Sequence, residues 1–227
     1  MPDAHFSPAL FRFLEELAAH NDREWFHANR DRYESDLREP ALRFIMDFGP
    51  RLDAISPHFR ADPRKQGGSL FRIHRDVRFS KDKSPYKTHT GIQFRHTAGK
   101  DAHAPGFYLH LEPAQVFLGI GIWHPDGPTL RAIREAIVDD ARGWTKAKGP
   151  PFGGAFELAG DTLSRAPSGF DKEHPLVDDL RRKDFIGVAS LSEKDVTTPG
   201  FLDDFTARCR SGAGFIRWLC GAVGVAF

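Results

Sequence analysis

The residues best suited to chemistry lie in one basic segment, residues 71–87. It holds six cationic side chains and two carboxylates, a net charge of +4, whereas the whole chain carries only +1 and the remainder therefore about −3. Arginine forks and lysine ammonium groups gathered on one loop suit the recognition of phosphate or carboxylate groups. We therefore predict a site for a phosphorylated or carboxylated small molecule, with these anion-binding residues: Arg72, Arg75, Arg78, Lys83 and Lys87.

Three further residues of the segment carry groups that can take part in proton transfer. Asp76 or Asp82 could orient the arginines or serve as a general base, and Tyr86 could donate a hydrogen bond to the ligand. We predict these three as the catalytic residues if the protein is an enzyme, a question that the sequence leaves open. It also predicts no particular cofactor.

The role of Arg75 follows from the expected strand geometry. If residues 69–79 form a strand, Arg75 shares a face with three apolar side chains, Ile73, Val77 and Phe79. An unpaired charge among core residues costs several kcal/mol, so Arg75 must be paired or line a cavity. Asp76, Asp82 and a bound anion are the alternative partners.

Two other functions compete with a small-molecule site. The segment, with Phe79 and Tyr86, could grip phosphates and stack a base of a nucleic acid. The near-neutral remainder of the chain makes that partner unlikely, because nucleic-acid-binding proteins usually present a broad basic face. Alternatively, the segment is an internal salt-bridge network in a structural or interaction protein.

A second group of polar residues lies in the region expected to form the sheet. Tyr108, His110 and Glu112 share a face by strand alternation, so a histidine–glutamate acid–base pair is conceivable. Four histidines recur at intervals of seven, a period that matches no strand face or metal motif: His89, His96, His103 and His110. We therefore predict no metal site. The sequence also lacks a Gly-x-Ser-x-Gly elbow, a P-loop and a Gly-x-Gly-x-x-Gly turn.

Composition predicts a soluble, cytoplasmic protein with a packed core. Forty per cent of the residues are hydrophobic and twenty are phenylalanines, which argues against disorder. No apolar stretch reaches the roughly 18 residues of a membrane-spanning helix, so we expect no membrane partner. Cys209 and Cys220 are expected to be reduced core thiols. The oligomeric state cannot be read from these residues.

Periodicity predicts an α+β fold in a single compact domain, residues 1–227, with a largely antiparallel sheet between N-terminal and C-terminal helices. Residues 1–56 read as helical, 57–125 mainly as strands and 126–227 as mixed. Ser7 followed by Pro8 is expected to cap and begin the first helix. The expected strands are residues 69–79, 88–95, 107–111, 116–123 and 185–189, with a hairpin at 156–163. Residues 112–115 are expected to form a four-residue hairpin loop between the third and fourth of these strands. A single last helix is expected after Thr198-Pro199.

The basic segment is also the part of the chain that resembles a known family. Residues 72–88 closely resemble the signature of a widespread bacterial and fungal family of uncharacterised proteins, known as a domain of unknown function. Supporting matches are Trp25-Phe26, residues 108–113 with Gly119 and Gly121, residues 165–170 and His174-Pro175. The resemblance covers nearly the whole chain, and it implies no activity, cofactor or ligand.

Overall fold

The computed structural model describes residues 4–99 and 104–227 of the protein. It has the predicted α+β architecture, with an antiparallel sheet in the middle of the chain and helices at both ends. None of the helices in the described residues has the length and apolar character needed to cross a bilayer.

The first two N-terminal helices begin at capping residues. Ser7 Oγ accepts a hydrogen bond from the backbone N–H of Ala9, and Asp22 Oδ1 accepts one from Trp25. The helices are α1 (Pro8–Ala19), α2 (Arg23–Ala28), α3 (Arg30–Arg32) and α4 (Glu39–Asp53). A π-helical stretch, Tyr33–Arg38, joins α3 to α4.

The sheet has six strands in the order β1-β2-β3-β4-β6-β5, and every neighbouring pair is antiparallel. The strands are β1 (Phe59–Arg60), β2 (Thr90–His96), β3 (Gly106–Glu112), β4 (Gln115–Ile122), β5 (Glu157–Ala159) and β6 (Phe185–Leu191). The predicted hairpin between β3 and β4 is present. Because Glu112 pairs directly with Gln115, its loop has two residues rather than the expected four.

The remaining helices follow β4 and β6. They are α5 (Gly127–Asp139), α6 (Ala141–Ala147), α7 (Val177–Leu180), α8 (Glu193–Val196), α9 (Phe201–Ser211) and α10 (Ala213–Ala222). Helices α9 and α10 replace the single predicted helix, and they meet at Gly212. A Cβ atom at Gly212 would lie 2.1 Å from Ile120 Cδ1, so the absence of a side chain lets the helical connection press against β4.

Helices cover one face of the sheet, and aromatic rings fill the space between them. Phe94 of β2 packs edge-on against Phe48 of α4 and also contacts Phe205 of α9, while Trp144 of α6 packs edge-on against Phe185 of β6. Alternate residues of the central strands face the other way. That second face holds the polar side chains described below.

Two predicted strands differ from the structure. Residues 69–79 form no strand and touch their neighbours through the isolated bridges Leu70↔Ile92 and His74↔Tyr86. The side chain of Asp76 accepts hydrogen bonds from the backbone and guanidinium of Arg78, which turns the chain locally and ends any extended pairing. Phe79, expected on the buried face, is therefore 95% exposed.

The predicted hairpin at residues 156–163 is also wrong. Its first half, β5, pairs with β6 instead of folding back on its own second half. Gly160, with φ +95°, then turns the chain away, and Thr162 forms an isolated bridge with Arg182. The pairing partner is more than twenty residues away, beyond the reach of a local pattern.

Candidate functional site

The basic segment runs beside β2 as an irregular hairpin. The backbone N–H of Phe71 donates to Gly91 O at 2.9 Å, that of Lys87 to Ile73 O at 2.8 Å, and that of Arg75 to Pro85 O at 2.9 Å. The first bond joins the segment to β2. The other two hold its arms, residues 71–75 and 85–87, together and leave residues 76–84 as its loop. The cations in the loop are therefore separated from those in the arms.

Contacts within the segment engage three of the five predicted anion-binding residues. Arg75 pairs with Asp82, one of its three expected partners, and Arg78 Nη2 lies 2.6 Å from Asp76 Oδ2. Lys83 Nζ donates to Val77 O at 3.0 Å. The hydrogen bond from Arg75 lowers the pKa of Asp82, and the one from Arg78 lowers that of Asp76. Both carboxylates are therefore charged at neutral pH.

Tyr86 lies in the core rather than at the surface. Its ring stacks on Phe26 of α2 with centroids 4.1 Å apart, and the residue is 5% exposed. Asn21 accepts from the backbone N–H of Tyr86 and donates to its carbonyl oxygen. Tyr86 thus anchors the second arm to the N-terminal helices. The catalytic roles of Asp76, Asp82 and Tyr86 stay predictions.

Neither Arg72 nor Lys87 forms a salt bridge within the described residues, although the charge of Arg72 contributes to lowering the pKa of Asp76. Lys87 is partly buried, and its Nζ lies 5.3 Å from the centroid of the Phe71 ring. Burial lowers the pKa of Lys87, and the charge of Arg72 lowers it further. Arg95 of β2 lies over the same Phe71 ring, with Cζ 5.7 Å from the centroid. Cations of the segment and of the sheet thus meet around one aromatic ring.

A basic hollow of about 160 Å³ adjoins this ring through Arg95. Arg60 and Arg64 contribute two more guanidinium groups to its wall, and Asp62 lies among them, paired with Arg64. None of the eight predicted site residues lines this hollow.

The face of the sheet that the helices leave uncovered carries the predicted trio on β3. Tyr108 Oη lies 3.0 Å from His110 Nδ1, and His110 Nε2 lies 3.0 Å from Glu112 Oε2. Thr88 Oγ1 donates to the other oxygen of Glu112 at 3.3 Å. Burial, with a smaller contribution from Glu112, raises the pKa of Tyr108 to about 12, so the phenol keeps its proton. The shared face predicted by alternation is confirmed.

His89 connects this trio to the basic segment. Its ring lies 4.7 Å from the His110 ring, centroid to centroid. Burial is the main cause that lowers the pKa of His89, followed by the charge of His110. Glu112 acts in the opposite direction, and Lys87 and Arg75 lower this pKa by smaller amounts. The regularly spaced histidines do not all gather: His89 and His110 meet, whereas His96 faces the covered side and bonds to Ala226 O. His103 lies outside the described residues.

Gly91 allows the Tyr108 ring to cross β2. A Cβ atom at Gly91 would lie 2.5 Å from Tyr108 Oη and 2.7 Å from its Cε2. We expect Gly91→Ala to displace the ring, break its bond to His110 and lower the free energy of unfolding by about 1–3 kcal/mol. Denaturant titration measures the loss, and the imidazole NMR signals of His110 report the broken bond.

Gly119→Ala is the matched control for that substitution. Gly119 pairs with Tyr108 from the opposite strand, β4, but its nearest neighbour to an added Cβ is 3.8 Å away. The extra methyl group therefore fits. Equal losses from the two substitutions would show that Tyr108 does not depend on close approach to Gly91.

Sequence reasoning missed three residues of this region: His89, Gly91 and Arg95. All three lie at odd positions from residue 87 to 95, opposite in phase to the buried Ile92 and Phe94. That alternation was the available signal, because it places them on the face that Tyr108 and His110 share. The register of β2 against β3 was needed to use it.

A second hollow, of about 420 Å³, lies between α5 and the loop at residues 169–174. Phe170 and His174 contribute to its wall, and the Arg131–Glu135 ion pair of α5 lies on the other side. Its wall contains Gly169, Phe170 and His174, which belong to the stretches that resemble the family, but no residue of the basic segment.

Comparison with known proteins agrees with the resemblance seen in the sequence. The model of a family described as "Conserved hypothetical protein (DUF2461)" matches residues 9–218. No curated protein matches the chain.

Proposed function

Since the chain belongs to this family of conserved hypothetical proteins, we propose its function from its own side chains: it binds a phosphate-bearing small molecule through Arg72 and Lys87. The supporting observation is that Arg72 lies close enough to lower the pKa of Lys87, yet neither cation forms a salt bridge within residues 4–99 and 104–227. The carboxylate whose pKa Arg72 lowers, Asp76, is already paired with Arg78. Neighbouring like charges are unfavourable, and a bound anion would offset their repulsion.

The surroundings suit a phosphate more than a simple counter-ion. Lys87 and Arg95 both lie against the Phe71 ring, and Arg95 also lines the hollow where Arg60 and Arg64 lie. A ligand with a phosphate at Lys87 and a polar or second anionic group in the hollow would contact cations at both ends. Guanidinium groups bind phosphate oxygens in pairs, which gives such a ligand a defined orientation.

The other predicted cations would have a supporting role in this proposal. Arg75, Arg78 and Lys83 already have partners inside the segment, so they would fix the shape of the loop rather than bind the ligand directly. A cytoplasmic metabolite is the ligand source that we infer, and the free, buried thiols of Cys209 and Cys220 fit that compartment.

A thermal-shift titration with inorganic phosphate, pyrophosphate and a neutral sugar tests the proposal. At 100 times its dissociation constant a ligand adds about 2.7 kcal/mol of stability, a rise of roughly 5–10 °C in melting temperature for a chain of this size. We expect that rise with a phosphate compound in the presence of EDTA, and none with the sugar.

Lys87→Met and Arg72→Gln are each expected to abolish the shift in melting temperature, because each removes a cation that forms no salt bridge within the described residues and would contact the phosphate. Lys81→Gln is the matched control, since Lys81 is an exposed lysine of the same segment without a side-chain contact in the described part of the chain. Equal shifts in Lys87→Met and Lys81→Gln would contradict the proposal. So would the absence of a shift with every phosphate compound.

A further inference from the structure

Three metal-ligating side chains come together where the basic segment meets the sheet. His89, His110 and Glu112 each offer one ligand atom, and these atoms all lie within 4.8 Å of one another. His110 and Glu112 are two residues apart on β3 and therefore share a face. Thr90 pairs with Leu111 in the antiparallel register of β2 and β3. The residue before Thr90, His89, therefore lies beside the residue after Leu111, Glu112.

We propose that these three residues bind a divalent transition-metal ion, with Zn²⁺ as the ion that the ligands suit best. Two imidazoles and one carboxylate form the ligand set of open zinc sites, in which a fourth position remains for water or substrate. Non-haem Fe²⁺ uses the same donor types, so it is the alternative ion within this proposal. The site goes beyond the proposed anion binding, because it depends on different side chains.

The hydrogen bonds around His110 orient it for this role. With the proton on Nδ1, the ring donates to Tyr108 Oη, 3.0 Å away, and Nε2 presents its lone pair towards Glu112 Oε2. Without metal the ring can instead carry that proton on Nε2 and donate it to Glu112, so metal binding would select the tautomer with the proton on Nδ1 and leave the ring neutral. A histidine ligand held by a hydrogen bond at its second nitrogen is the usual arrangement around bound metal.

The rest of the site is also held in place before an ion arrives. Phe117 of β4 stacks on the His110 ring with centroids 4.6 Å apart and planes 14° apart, which fixes the ring orientation. Thr88 donates to the oxygen of Glu112 that His110 does not use.

Calorimetric titration of the full chain with ZnCl₂ tests the site directly. The protein is prepared without a polyhistidine tag, stripped with EDTA and dialysed into phosphate-free buffer, so that the result is independent of anion binding. We expect one ion per chain, and Co²⁺ in its place should give a visible absorption band characteristic of imidazole and carboxylate ligation. Titration with Fe²⁺ under anaerobic conditions shows which ion is preferred.

Variants identify the ligands. We expect Glu112→Gln and His89→Ala each to weaken Zn²⁺ binding by at least about 100-fold, and Tyr108→Phe, which removes only the orienting hydroxyl, by about 10-fold to 100-fold. His27→Ala is the control, because His27 is an exposed histidine of α2 with no side-chain contact in the described ranges. It should bind as the unaltered chain does.

Two results would overturn the metal site. The first is binding of substantially less than one ion per chain by every metal tested. The second is equal affinity in Glu112→Gln and His27→Ala. Because glutamine has nearly the size of glutamate, Glu112→Gln keeps the test valid even if His89→Ala fails to fold, and the melting temperature of each variant verifies folding.

Discussion

Replacing Phe205 with alanine is expected to lower the free energy of unfolding by about 3–5 kcal/mol, the usual range for removing a fully buried aromatic ring. Phe205 of α9 is 0% exposed, and its ring meets Phe44 and Phe48 of α4 edge-on, at centroid distances of 5.2 and 4.9 Å. It also contacts Phe94 of β2. One side chain therefore joins the N-terminal helices, the sheet and the C-terminal helices.

The loss should appear as a fall of roughly 10 °C in melting temperature for a chain of this length. Phe205→Leu is the matched control, because leucine refills part of the volume and should cost clearly less than alanine. Met46→Ala supplies a second reference, since Met46 of α4 is 53% exposed. A Phe205→Ala protein as stable as Met46→Ala would show that the aromatic cluster does not hold the helices to the sheet.

The parts of the fold that the sequence predicts are those with local signals. Ser7 with Pro8 marks the start of α1 because capping depends on neighbours two or three residues away. The β3–β4 hairpin is similar, since alternation and a turn lie within one short stretch. Both came from residues adjacent in the chain, and both are present in the structure.

The wrong strands failed for the opposite reason. Residues 69–79 have apolar and polar residues in alternation, but the Asp76–Arg78 hydrogen bonds bend the backbone where a strand would continue. Residues 157–159 do form a strand, yet their partner is β6, reached only after a long intervening segment. Alternation predicts an extended segment, whereas the pairing partner is decided by the packing of the whole domain.

The candidate site was predictable only in part for a related reason. Charge counting located the segment that contains Arg72 and Lys87, but it could not separate them from Arg78, whose partner lies two residues away. The separation depends on which arm or loop of the segment each residue occupies. His89 and Glu112 come together only through the register of β2 on β3, which no pattern within either segment specifies.

Removing the buried carboxylate of Asp179 is expected to lower stability by about 3–5 kcal/mol, because it leaves two partly buried cations without their counter-charge. Asp179 of α7 is 6% exposed; its Oδ2 lies 2.6 Å from Lys148 Nζ and its Oδ1 3.6 Å from Arg182 Nε. Arg134 of α5 is also buried and donates to Arg182 O, and burial lowers its pKa. Two cations thus share one carboxylate, and a third, Arg134, contacts the backbone of one of them.

A double-mutant cycle separates the charge effect from simple loss of packing. Asp179→Ala alone removes the only carboxylate that pairs with Lys148 and Arg182 in the described residues, whereas Lys148→Met keeps the aliphatic stem and removes one cation. If the lost attraction is electrostatic, the second substitution should cost much less once Asp179 is absent, with a coupling of about 1–3 kcal/mol in denaturant titrations. Strictly additive losses of unfolding free energy would mean that Asp179 contributes by packing alone. Repulsion between Lys148 and Arg182 would then cost little in its absence.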